Sequence, residues 1–580
     1  MYKPAPPRPK QTSIVRARTG CRNCRARRKK CDEKRPACTA CTRLGRRCDG
    51  YTTKLEFRNV SFRPTKSQDH QTQMDKSQIS PGNSPRIDMM IKPSKQLFYM
   101  TVWENQCTPA LHPVFHKLTR FQNLSPVIID TMIALAARQL SRLLPQEREF
   151  NPLDNLGSSF RPDLAQQGIS GEFSSSAMRN VAQWTSADLY HDSTTALAVL
   201  TLFCYLESLM SNFQGFYLHS AAVGTLLDMQ QGLISKPSSY RPNLVAAWVQ
   251  SKMHNWWRRF HFATPTFQRD HPPLTIKPTS LHLSAVADTR VSVLMILCES
   301  YRLSAANFMS HCEDAVDIEA TALHVDTVPS QTRQSPSLHQ CRAFNILEEQ
   351  LNCQRDALND WYNQLSSLEL PTDLYTVAHS GVNYKSTPLQ IQPLQFESHD
   401  AAMNFAYYVT ARVVQYTEFL NNLEPSNREM ERSDTYNAAE PWIIILLRIV
   451  AGIDWDTCIR LNTYTIGLSG LLLACVLRSN NSALGSWVQD WLSQRYREGC
   501  LEEGSFPIFQ ILQVLRIINQ ERTSGRHVYA VCQSIDDGGG IGKFDSYNSQ
   551  RLGSVLVYGW CMNSSRFYSS HIGLGYMPSR

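Results

Sequence analysis

Residues 21–48 read CRNCRARRKKCDEKRPACTACTRLGRRC and hold six cysteines: Cys21, Cys24, Cys31, Cys38, Cys41 and Cys48. The spacing is C-x2-C-x6-C-x6-C-x2-C-x6-C, one half-motif written twice. A C-x2-C pair lets two thiolates hold one tetrahedral metal at the start of a helical turn. Two separate tetrahedral sites would need more thiolates than the six present. Sharing two sulfurs closes the difference, so the pattern implies a binuclear cluster with bridging thiolates. Six thiolates around two divalent ions leave negative charge in excess, and the Arg and Lys between the ligands offset it.

Over about residues 16–51 the chain resembles the fungal binuclear zinc-cluster DNA-binding domain. The likeness is carried by the six cysteines, the basic run RARRKK at 25–30, Asp32 after the third cysteine and Pro36 in the middle loop. It implies two Zn²⁺ ions, with Cys21 and Cys38 bridging them and Pro36 setting the turn between the halves. It also implies a lysine where guanines of a CGG triplet are read; Arg28 stands there in this chain. Arginine can pair bidentately with guanine O6 and N7, so a G-rich triplet stays the expected target, with a preference open to change.

The spacing predicts a short helix from Arg22 to Lys30, pinned at both ends by metal ligands. Arg22, Arg25, Arg28 and Lys29 then share one face, flanked by Arg27 and Lys30. By the resemblance, Arg27 and Arg28 contact bases while Arg25 and Lys30 hold phosphates. Arg43, Arg46 and Arg47 read as backbone contacts. Arg16 and Arg18, on a Pro- and Arg-bearing arm, lie close enough to reach phosphates; the same charges suit a nuclear import signal. A disulfide framework is the competing use of six cysteines, but MYKPAPPRPK shows no apolar secretory core. A zinc module that binds protein is the other, and it rarely packs so many cations between its ligands.

Charge supports this division. Residues 1–50 carry 16 Lys or Arg against 3 Asp or Glu, whereas the other 530 carry 43 against 47. One short end faces a polyanion, and the large remainder is near neutral. At 580 residues and 42% hydrophobic, the chain has ample material for a core. The remaining eleven cysteines have no repeated spacing and read as buried apolar residues of a reducing compartment. The most apolar stretches, WIIILLRIVAGI from Trp442 and TYTIGLSGLLLACVL from Thr463, are too short to span a bilayer, so no membrane partner is expected.

Residues 52–95 read as a flexible linker with Pro64, Pro81, Pro85 and Pro93. They lack a heptad pattern, so coiled-coil dimerisation there is unsupported. Residues 96–525 read as all-helical. Ser125-Pro126 is a helix start, and Ile129, Met132, Ile133, Ala136, Leu140 and Leu143 follow as a stripe. Residues 194–210 are apolar all round and should be central. An antiparallel partner at 213–232 follows, then helices near 244–260 and 290–310, a stripe from Leu347 to Leu365, one at 400–421, and a pair at 441–477 broken near Gly452. Segments 146–180, 325–340, 376–396 and 423–438 read as loops. The helical order resembles the fungus-specific transcription factor domain found downstream of such zinc clusters, through LTLFCYLESL, the Trp248 helix, and RIVAGID before LNTYTIGLSGLLLACVLR. Residues 526–580 read as a small β-hairpin or sheet packed on the helices, from HVYAVC, SVLVYGWCM and RFYSSHIGL.

Catalytic motifs fail. DDGGGIGKF at 536–544 has Asp537 and Phe544 where a phosphate loop needs Gly and Ser or Thr. His311-Cys312 and His112/His116 lack further ligands at metal spacing. The expected class is mainly α: a two-zinc DNA-binding domain, a Pro-rich linker, and an all-α regulatory domain with a β tail. The expected function is a nuclear, zinc-dependent regulator of RNA polymerase II transcription that reads CGG-like triplets and is not an enzyme. Its expected gene set is metabolic, secondary-metabolite or drug- and sterol-response. Its expected partners are double-stranded DNA and coregulators, with a homodimer through the helical domain and a small-molecule effector as further options. The alternative is a zinc-scaffolded adaptor, in which replacing Arg27 and Arg28 leaves function intact while replacing Cys31 destroys it.

Overall fold

The computed structural model divides into two compact units, Met1–Arg86 and Ile87–Arg580. In the first it describes residues 21, 23, 24, 27, 31, 32, 34, 37–46 and 48. In the second it describes 93–118, 124–143, 146–147, 160–161, 163–230, 241–261, 263–274, 288–322, 338–372, 382–383, 389–417, 438–504, 506–533 and 554–574.

In the first unit, α1 (Thr39–Thr42) is a single turn whose N-cap is Cys38. The second unit is helical, as its composition of apolar faces requires. Its early helices are α2 (Pro93–Val102), α3 (Pro113–Leu118), α4 (Pro126–Leu143), α5 (Leu164–Val181), α6 (Ser186–His191), α7 (Ser193–Leu209), α8 (Phe213–Gln230) and α9 (Arg241–Phe260). Then come α10 (Pro265–Asp270), α11 (Thr289–Ala322), α12 (Leu338–Asn363), α13 (His399–Gln415) and α14 (Glu440–Gly452). The last are α15 (Trp455–Leu461), α16 (Leu468–Val476), α17 (Ser482–Arg497) and α18 (Ile508–Thr523).

Helix α7 is the centre predicted from its all-round apolarity: from Ala196 to Leu209 every residue is buried. Its polar atoms are used to tie neighbours. Tyr205 donates its hydroxyl to Ala247 O on α9 at 3.0 Å. Trp248 of α9 donates Nε1 to Ser220 Oγ of α8 at 2.9 Å, which joins the partner helix to the same core. Farther along, Trp361 of α12 donates to Thr289 O at the start of α11, 2.8 Å away, and Gln415 of α13 donates to Ser300 Oγ of α11 at 2.9 Å.

Two expectations need correction. The segment 146–180 holds a helix, α5, rather than a loop. Its Gly168, Ser170, Gly171 and Ser174 look like loop residues, but Ser170, Phe173 and Ala177 make one buried face that packs on α4. Ser170 Oγ donates to Ala134 O at 2.8 Å and Ser176 Oγ to Asp130 Oδ2 at 2.8 Å, while Phe173 and Ala177 are buried. Asp163 starts it, accepting from Gln166 N. The pair at 441–477 is three α-helices. Asp454 caps an extra helix, α15, and a 3-10 turn at Asn462–Tyr464 precedes α16.

All of α16 is buried, and both its ends are closed by side chains from elsewhere. At the N-terminus Glu503 accepts from Leu468 N (3.0 Å), Ser469 N (2.9 Å), Ser469 Oγ and Asn462 Nδ2 (2.8 Å). At the C-terminus Arg522 donates to Val476 O and Ser479 O. Opposite charges thus sit where the helix dipole favours them. A lone buried carboxylate would cost several kcal/mol, and these donors are what make its burial tolerable.

The tail forms a three-stranded antiparallel sheet, β1 (Arg526–Cys532), β2 (Ser554–Cys561) and β3 (Arg566–Gly573), in that order. Val531 pairs with Val557, and Trp560 with Phe567. The turn from α18 into β1 runs through Gly525 at φ 74°, where a side chain would be strained. One face of the sheet packs on α11: Tyr529, Ala530 and Trp560 cluster with Phe308, Met309 and Cys312. Among the described residues no single helix is long and apolar enough to cross a membrane.

Candidate metal centre and nucleic-acid interface

The six cysteines converge. Cys21, Cys24, Cys31 and Cys38 form one group of four, and Cys21, Cys38, Cys41 and Cys48 another, with the sulfurs of each group within 4.8 Å of one another. Cys21 and Cys38 belong to both. Across the centre, Cys21 Sγ lies 3.6 Å from Cys38 Sγ and 3.7 Å from Cys41 Sγ, and Cys24 Sγ lies 3.6 Å from Cys38 Sγ. A tetrahedral ion with Zn–S bonds of about 2.3 Å sets its sulfurs about 3.8 Å apart. The sulfurs therefore fit two zinc tetrahedra sharing an edge, and the shared pair is the one the resemblance implied.

Each half builds its site in the same way. Cys24 N donates to Cys21 Sγ and Cys41 N to Cys38 Sγ, both at 3.4 Å. The C-x2-C turn thus aims an N–H at the first sulfur of each half, which favours its thiolate. Cys21, Cys24, Cys38 and Cys41 are buried, and Cys31 and Cys48 are half-buried. Burial pushes the Cys21 and Cys24 thiols up, while the Cys38 sulfur and then burial push Cys41 up to about 12. A shared dication reverses this, because a coordinated thiol is deprotonated outright.

Asp32 links the halves. Its carboxylate accepts from Thr39 N at 3.1 Å and from Thr39 Oγ1, at the start of α1. The Thr39 hydroxyl holds the carboxyl below the usual carboxylate range. The sequence showed Asp32 but gave no sign of Thr39 as its partner. Gly45, at φ 59°, turns the chain after α1 toward Cys48.

Of the predicted DNA contacts, Arg27 is described. It is half-buried, and its backbone N–H donates to Asn23 O at 3.2 Å, a helical turn that spans Cys24 and leaves Arg27 between the second and third ligands. Arg43 and Arg46 are exposed. Arg16, Arg18, Arg25, Arg28, Lys29, Lys30, Arg47 and Pro36 lie outside the described residues, as do residues 52–92 and 536–544. In the larger unit the histidines set aside earlier have ordinary partners. His112 meets Asp288 at 3.3 Å, and His311 Nδ1 lies 2.8 Å from Asn307 O. Among the described residues no other group of three His, Cys, Asp or Glu is placed to hold a metal.

Residues 19–57 match the fungal Zn(2)-Cys(6) binuclear cluster domain. The aspercryptin biosynthesis cluster-specific transcription regulator atnN of Emericella nidulans is 62% identical over 37 residues, 6% of each chain. The transcriptional regulatory protein moc3 of Schizosaccharomyces pombe is 50% identical over 54 residues, 9% of this chain and 10% of moc3. The Zn(2)-C6 fungal-type transcription factor afumD of Aspergillus fumigatus is 28% identical over 138 residues, 23% of this chain and 35% of that protein. The chain thus matches about a tenth or less of the first two relatives and about a third of the other. No solved structure matches it. The likeness shown is thus that of the N-terminal segment to the fungal Zn(2)-Cys(6) binuclear cluster domain, a domain that binds two zinc ions. These relatives are named as transcription regulators or transcription factors.

Proposed function

We propose that this chain is a nuclear, zinc-dependent, sequence-specific DNA-binding regulator of RNA polymerase II transcription. The observation that carries the reading is the pair of four-sulfur groups sharing Cys21 and Cys38, with Arg27 on the turn between ligands. In this reading Cys21 and Cys38 bridge the ions, and Cys24, Cys31, Cys41 and Cys48 complete the two sites. Pro36 sets the turn between the halves. Arg27 and Arg28 meet base edges of a CGG-like triplet; Arg25, Lys29 and Lys30, with Arg16 and Arg18, hold phosphates. The larger unit acts as the regulatory domain, of the kind found downstream of such clusters, through coregulators, a second copy or a small-molecule effector. Two relatives are named for natural-product clusters, aspercryptin and pestheic acid, which supports a secondary-metabolite gene set over the other options.

The test is selection of bound duplexes from a random pool by the full-length protein at about 150 mM salt, because phosphate contacts weaken steeply with salt. A G-rich triplet that is enriched with zinc and lost with a strong chelator supports the reading. A pool with no enriched sequence, with zinc still bound, moves the adaptor reading to first place.

A further inference from the structure

The larger unit has a groove that the zinc-domain reading does not use. Past the end of α14, the start of α15 and the last turns of α17 wall off a cavity of about 320 Å³. It runs on, through Trp455, Asp456, Arg495 and Glu498, into a second of about 310 Å³. Cavities of this size suit a small molecule.

The walls have a specific chemistry. Trp455 and Trp491 meet edge to face, with ring centroids 4.8 Å apart and planes at 86°, so two indoles stand at a right angle. Ring faces of tryptophan attract cations more than those of any other side chain. Three carboxylates rim the same cavity. Asp454 is engaged in capping α15 through Thr457, and Glu498 is held by Arg495 at 2.6 Å. Asp456, exposed beside Trp455, has no hydrogen-bond or ion-pair partner for its carboxylate among the described residues. Arg495 places its guanidinium 5.2 Å from the centre of the Trp491 ring. The protein's own cation thus already sits on one indole face, tethered by an exposed pair that is worth little.

We propose that this groove binds a small organic cation with an apolar body, an alkyl- or arylammonium, which rests on the tryptophan walls, pairs with Asp456 and displaces Arg495. A hard metal ion would want oxygen ligands on every side, and the indole walls do not supply them. An anion would meet three carboxylates. The inference does not rest on DNA recognition, since its test reads ligand binding alone.

The experiment is calorimetric titration of the full-length, zinc-loaded protein with choline and with its neutral isostere 3,3-dimethylbutan-1-ol. Choline should bind saturably, and the isostere about tenfold more weakly. Asp456→Asn should weaken choline and leave the isostere unchanged. Arg495→Gln should tighten choline about threefold, because the intramolecular competitor is gone. That gain is an outcome a purely structural Arg495 would not give. Equal binding of the two probes, no choline heat up to about 10 mM, or weaker choline binding by Arg495→Gln would overturn the proposal.

Discussion

Both units of this protein bury cysteines, and they use them in opposite ways. In the larger unit Cys107, Cys204, Cys298, Cys475 and Cys532 are spread among helices and β1, each packed as a small apolar side chain. Burial holds Cys107 and Cys475 protonated, pushed up to about 12. Among the described residues of the N-terminal unit the buried side chains are the ligands themselves: Cys21, Cys24, Cys38 and Cys41 cluster with Cys31, Ala40 and Cys48 around them. A structural zinc contributes about 10–16 kcal/mol to such a fold. Among the described residues there, no other side chain is buried that could replace it. One region is therefore folded by metal and the other by apolar burial.

That contrast can be broken most severely by chelation. A strong chelator should abolish the fold of the first unit while the thermal transition of the larger one stays put; hydrogen exchange on the intact chain reads both at once. Loss of protection throughout would mean that the larger unit depends on zinc too.

Next in size is Glu503→Ala, which strips Leu468 N, Ser469 and Asn462 of their shared acceptor. It should cost the larger unit about 3 kcal/mol and leave zinc content at the wild-type value. Burial holds the Glu503 carboxyl above the ordinary carboxylate range. Its folded value therefore exceeds the unfolded value of about 4.3. The contribution is full below the unfolded value and declines as pH rises through the folded one. Denaturant titrations at several pH values should show this decline in wild type and not in Glu503→Gln.

Smaller effects sharpen the other side. Gly45→Ala forces a side chain into the left-handed region and should cost about 1 kcal/mol, read as earlier zinc release in a chelator competition. Asp32→Asn weakens the tie to Thr39. The Thr39 amide should exchange faster with both metals still bound.

The two units also differed in how legible they were. Metal geometry depends on ligand spacing along the chain, so the six cysteines and the need to share two of them could be read directly, while the shared pair, Cys21 and Cys38, was what the family resemblance implied. The partner of Asp32 could not, because the middle loop must close before Thr39 reaches it. In the larger unit apolar stripes marked α4, α7, α9 and α13. Helix α5 was hidden because its Gly and Ser residues imitate the composition of a loop, and Phe173 and Ala177 are too few to stand out as an apolar stripe. Glu503 lies in LEEGSFP, a segment with no pattern that marks one carboxylate as a buried acceptor. Its role appears only once α16 brings its N-terminus there, contributed by a segment more than thirty residues earlier.

The most direct test of the shared-sulfur centre is zinc counting by native mass spectrometry on the intact chain and two single variants. The account predicts two zincs in the wild type, one retained by Cys24→Ser, and none retained by Cys38→Ser, whose sulfur belongs to both groups. A Cys38→Ser protein that keeps one zinc as firmly as Cys24→Ser does would contradict it.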